Sequence, residues 1–169
     1  MIFIVLLCLS ELSAGGQNIR LKAGDLLFRG VASENLSKAI DKVTQTGNET
    51  HFSHMGLVER NGHRIFVLHA SPERGTCRVS LHQFLHPDGG PVEVVAYRLK
   101  HRWQKAIPAA LEQAGKMLGK PYNNHYMAVD TAYYCSDFVY RAFAADSIFE
   151  LNPMTFKDPK TGEFSPGWV

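Results

Sequence analysis

Apolar and polar positions change period several times along this chain, and each change marks an element. Leu26-Leu27-Phe28, entered from Gly24-Asp25, is an apolar run of strand length. Leu36, Ala39, Ile40 and Val43 recur at helical spacing behind Ser33, a capping residue, with Gly47 as the stop. His54 to Glu59 and Arg64 to Ala70 are strand-like runs separated around Asn61-Gly62. Asn-Gly between two such runs predicts a tight hairpin, because both turn positions need positive φ. Cys77 to Val79 and Val92 to Leu99 are further strands. A helix carries Ile107, Ala110, Leu111, Ala114, Met117 and Leu118 on one side, with Pro108 in its first turn and Gly119 at its C-terminal cap. A last helix is predicted over Ser136 to Ala145, with Phe138, Val139, Ala142 and Phe143 sharing a face, and the residues after Asn152 read as irregular. The sum is an α+β domain: an antiparallel sheet or half-barrel of about five strands against about three helices.

The first residues form a separate pattern. Ile2 to Leu9 is apolar and leads into Ser10, Ser13, Ala14, Gly15 and Gly16. Residues 1–16 therefore read as a secretory signal, which makes 17–169 the single domain and places it outside the cytoplasm, in the periplasm or cell envelope. Basic residues ahead of the apolar run are missing, and an N-terminal strand is the alternative. The run is too short to span a bilayer, and no later segment is long and apolar enough for a membrane span.

Composition narrows the function. Lys plus Arg number 18 against 16 for Asp plus Glu, a net charge of +2, which excludes nucleic acid as a partner. Hydrophobic residues at 45% and charged residues at 20% are ordinary globular values, so the 169-residue chain can bury a core without disulfides. Three cysteines are too few for a disulfide scaffold.

Candidate chemistry sits at two places. With Asn61 and Gly62 as the loop, cross-strand pairs sum to 123, Glu59 opposes Arg64, and His54 opposes His69. Opposed side chains hold their Cβ atoms ~4.5–5.5 Å apart, so the imidazoles can touch. Such a pair can be incidental, can bind metal, or can form a general base with its orienting partner. No HExxH or CxxC cluster supports a metal. The second place is Cys135, at the predicted mouth of the last helix, where free N–H groups and the helix dipole favour a thiolate. An inert buried thiol and a disulfide to Cys77 are the alternatives.

Five motifs occur in order: Gly24-Asp25-Leu26-Leu27-Phe28, Ser53-His54-Met55-Gly56-Leu57-Val58, Val67-Leu68-His69-Ala70, Gly119-Lys120-Pro121-Tyr122-Asn123 and Tyr134-Cys135-Ser136-Asp137-Phe138-Val139. Together they resemble the circularly permuted papain-like amidases, the YiiX/YebB-like branch of the NlpC-type cysteine hydrolases, over about residues 20 to 145. The resemblance implies Cys135 as nucleophile, His54 as general base and His69 in the orienting position, where many relatives carry a carboxylate. It also implies a substrate or oxyanion contact for Tyr122. Asp25 reads as a brace for the first strand. The implied reaction is cleavage of an amide or peptide bond through a thioester, with no metal or organic cofactor and a small peptide or N-acyl, lipid-like substrate. A lecithin–retinol acyltransferase-like enzyme and a non-catalytic binding module on the same fold are the competing readings; the former's Asn-Cys-Glu-His run is not matched by Tyr134-Cys135-Ser136-Asp137.

Overall fold

The computed structural model describes residues 2–4, 9–12, 20–30, 52–87, 92–127, 129–153 and 162. In chain order the strands are β1 (Ile2–Ile4), β2 (Leu9–Leu12), β3 (Leu26–Arg29), β4 (His54–Asn61), β5 (Arg64–Ser71), β6 (Gly75–Ser80), β7 (Val94–Leu99) and β8 (Leu151–Pro153). The helices are α1 (Leu81–Leu85), α2 (Ile107–Lys116) and α3 (Cys135–Ala142). The helix expected behind Ser33 lies outside the described residues.

Six strands form one antiparallel sheet in the order β2-β7-β3-β4-β5-β6, and β1 pairs separately with β8. The apolar segment at the start of the chain thus supplies two short strands, with β2 lying along β7. Among the described residues no helix is long and apolar enough to cross a membrane.

Strand alternation divides the core into two layers. Leu26, Met55, Leu57, Leu68 and Ala70 face α2 and α3, where Ala110, Ala114, Phe138, Val139 and Ala142 meet them. Leu27, Val58, Val67, Val79 and Ala96 face the other way, onto Phe84 of α1. That short helix had no counterpart in the hydrophobic pattern, but its start is encoded. Ser80 accepts from the Gln83 N–H while the Gln83 side chain takes the Ser80 N–H, a reciprocal cap.

The hairpin differs from its expected register. Asn61 stays in the ladder opposite Arg64, and Gly62-His63 make the turn, so pairs sum to 125. The reason is local: Gly62 alone takes positive φ, at 59°, which suits a two-residue loop with glycine first. Glu59 consequently faces Phe66 rather than Arg64, and its carboxylate pairs with Arg78 on β6 at 2.7 Å. Moving a two-residue loop by one position shifts the pair sum by two, so each residue keeps its face of the sheet.

Asp25 is the expected brace. It is buried, receives the Lys22 N–H at 2.7 Å, and binds Arg98 through both oxygens at 2.7 and 2.8 Å, which ties the start of β3 to β7.

Candidate active site

His54 and His69 meet, though not as direct opposites. Continued past Leu57, where the β4–β5 ladder stops, the register would set His54 level with Ser71 and His69 with Gly56, which makes the imidazoles diagonal neighbours. Gly56 makes the diagonal possible. A Cβ there would lie 2.5 Å from Val67 Cγ1 and 3.2 Å from His69 Cβ. Through that gap His54 Nε2 and His69 Nδ1 come to 2.8 Å, with the rings nearly perpendicular at 86°. Phe84 closes the layer beneath both, 5.8 and 5.4 Å away between ring centres.

Burial decides the charge of this pair. Desolvation, then the His69 and Arg29 charges, hold His54 well below the usual histidine range. Desolvation, then Arg29 and Arg74, bring His69 down to about 4, with Glu73 opposing. Both rings are neutral at neutral pH. His54 Nε2 is engaged by His69, which leaves Nδ1 as the nitrogen that can act outward.

Cys135 opens α3. Its N-cap is Tyr134, whose side chain makes no capping bond, so the first-turn N–H groups are left for other acceptors. The sulfur takes them. Backbone N–H groups of Met55, Ser136 and Cys135 itself stabilise the thiolate, as does the Arg29 charge. Met55 is free to donate because of the sheet. Val58 N–H points to β3, so the Met55 N–H three residues earlier points towards β5. The β4–β5 ladder, however, stops at Leu57 opposite Leu68, although β4 runs on to His54 and β5 to Ser71. The ladder opens where the sulfur arrives, against the peptide that follows His54.

The net effect on the thiol is opposite to expectation. Desolvation is the largest influence and pushes the Cys135 thiol up despite the helix end, the backbone donors and Arg29. At rest Cys135 is a thiol and both imidazoles are neutral. The alternative Cys77–Cys135 disulfide does not form; both thiols are free.

Tyr122 lies within electrostatic reach of Cys135 and is hydrogen-bonded to Tyr126; burial pushes its phenol far up, so it stays a donor. Its segment is clamped to β6. Thr76 N–H donates to Lys120 O and Lys120 N–H to Thr76 Oγ1, each at 2.8 Å. Gly75, at φ 65°, allows the approach, since a Cβ would sit 2.1 Å from Lys120 O. Tyr126, at φ 53°, is one of two non-glycine residues with positive φ among the described residues. Arg29, Phe84, Gly56 and Tyr126 were not singled out by the sequence; the Ser80–Gln83 cap was the available signal for Phe84.

Comparison with known proteins matches residues 20–167 to the permuted papain-like amidase enzyme family, YaeF/YiiX, C92. The chain belongs to this family. The family is one of permuted papain-like amidases. It is similar to the crystal structure of metalloprotein yiiX from Escherichia coli O157:H7, with a TM-score of 0.56 and 24% identity over 73% of this chain. The match spans 65% of that protein's length. The likeness confirms the α+β fold. No curated protein matches.

Proposed function

We propose that this amidase cleaves an amide or peptide bond through a thioester on Cys135. The thiol attacks the carbonyl carbon while His54 Nδ1 takes its proton, then passes that proton to the leaving amine as the C–N bond breaks. Water, deprotonated by His54, hydrolyses the thioester and restores the thiol. His69 orients His54 through the 2.8 Å bond. Because it is an imidazole rather than a carboxylate, it stabilises an imidazolium on His54 less. With the resting thiol pushed up and His54 pushed down, transfer accompanies attack instead of preceding it as a standing ion pair. Tyr122, always protonated, donates to the developing oxyanion.

The observation that carries this reading is the occupied Nε2 of His54, which leaves Nδ1 for the sulfur that rests on the Met55 N–H. The solved relative is named a metalloprotein; among the described residues of this chain no three His, Cys, Asp or Glu side chains are grouped to hold a metal, and no step above uses one. We further assign a small peptide or N-acyl substrate.

The test is a panel of acyl and peptidyl p-nitroanilides followed by intact-mass spectrometry. Release of p-nitroaniline with an acyl mass on Cys135 that hydroxylamine removes is the expected result. Turnover that survives in Cys135→Ala overturns the covalent route.

A further inference from the structure

The relay does not end at His69. Across the β5–β6 ladder His69 stands opposite Cys77, and its Nε2 lies 3.4 Å from the Cys77 sulfur. Three groups therefore form a chain: Cys77 Sγ, the His69 ring and the His54 ring.

Such a chain has two proton arrangements. The nitrogens His54 Nε2 and His69 Nδ1 share one proton between them. When it sits on His69 Nδ1, the neutral His54 ring carries its own proton on Nδ1, the atom that has to accept one from the nucleophile, and the base is blocked. His69 Nε2 is then bare and must accept a proton bond from position 77. When the shared proton sits on His54 Nε2, its Nδ1 is bare and the base is ready. His69 then carries its proton on Nε2 and donates it to the sulfur. The group at position 77 thus selects between a ready and a blocked base.

Resting on the general-base reading above, we propose that Cys77 is a positioning residue whose sulfur accepts the His69 Nε2 proton and so keeps His54 Nδ1 bare. Sulfur suits this role because S–H is a weak donor. A hydroxyl in its place would offer its own proton to His69 Nε2 and stabilise the blocked arrangement. Burial, the largest influence on Cys77, holds it as a neutral thiol, so it adds no charge beside the histidines. Its side chain is half-buried in a strand, and small replacements leave the surrounding core in place.

The experiment reads protonation and reactivity separately. Long-range nitrogen NMR of the wild-type protein at pH 7.5 should find both His54 and His69 protonated on Nε2. Iodoacetamide alkylation of Cys135, followed peptide by peptide by mass spectrometry, should be about tenfold slower in Cys77→Ser and about threefold slower in Cys77→Ala. In Cys77→Ser the His69 proton should move to Nδ1. A wild-type His69 protonated on Nδ1, or alkylation rates and nitrogen shifts unchanged in both variants, overturns the proposal. His54→Gln separates the two claims. If it slows Cys135 alkylation while the Cys77 variants do not, only the role of Cys77 falls; if it has no effect, the general-base reading itself falls.

Discussion

Acid should unfold this protein through its histidine pair. His69 titrates at about 4 in the fold, against 6.5 for an unperturbed histidine. Between those values the unfolded chain binds a proton that the folded one refuses. The stability present above pH 6.5 is therefore lost as the pH falls towards 4. With one unit worth ~1.36 kcal/mol, His69 alone costs about 2.5 kcal/mol at pH 4.5. His54, also pushed down, adds in the same direction. The assay is urea unfolding at pH 7 and pH 4.5 for the wild type and for the double variant His54→Gln, His69→Gln, which keeps polar side chains of similar reach but cannot titrate. At an m value of ~2 kcal/mol/M, the wild-type midpoint should drop by at least ~1 M more than that of the variant. Equal drops would refute the claim that the pair is enclosed and neutral in the fold.

Two further substitutions probe the frame around the site. Gly56→Ala places a Cβ 2.5 Å from Val67 and in the path of His69, so it should cost about 1–3 kcal/mol and break the His54–His69 bond. An unchanged melting temperature with the histidine signals of the wild type would contradict this. Asp25→Asn removes the charge that Arg98 grips through two oxygens and should cost about 3 kcal/mol in urea titrations, with turnover per folded molecule retained. A loss below ~1 kcal/mol would show that the brace is dispensable.

Much of this site was legible because its parts depend on parity and order. Leu57 and Leu68 against His54 and His69 alternate with period two, and no shift of a two-residue loop along the chain can move the histidines to the other face. The loop itself was misplaced by one position because Asn61 could serve equally in the turn or in the ladder, and only Gly62 needed positive φ. The sequence motifs also located α3 and its cysteine. The sign of the thiol's shift was not legible, since it turns on a contest between desolvation and N–H donors that exists only in three dimensions. The parts played by Arg29 and Cys77 were not legible for a similar reason. Each acts through a neighbour on an adjacent strand, and nothing in a linear sequence distinguishes such a residue from any other strand residue.

The permuted order has a bearing on biosynthesis. The strands with both histidines, β4 and β5, leave the ribosome well before Cys135, which opens the last helix. The hairpin can pair as soon as it emerges, since its partners are close in the chain. On the mechanism proposed above, a nascent or prematurely terminated polypeptide that ends before α3 carries a base with nothing to activate. On the same mechanism, arrival of the thiol converts a folded scaffold into a working hydrolase, and it comes only when the sheet that receives it has already been synthesised.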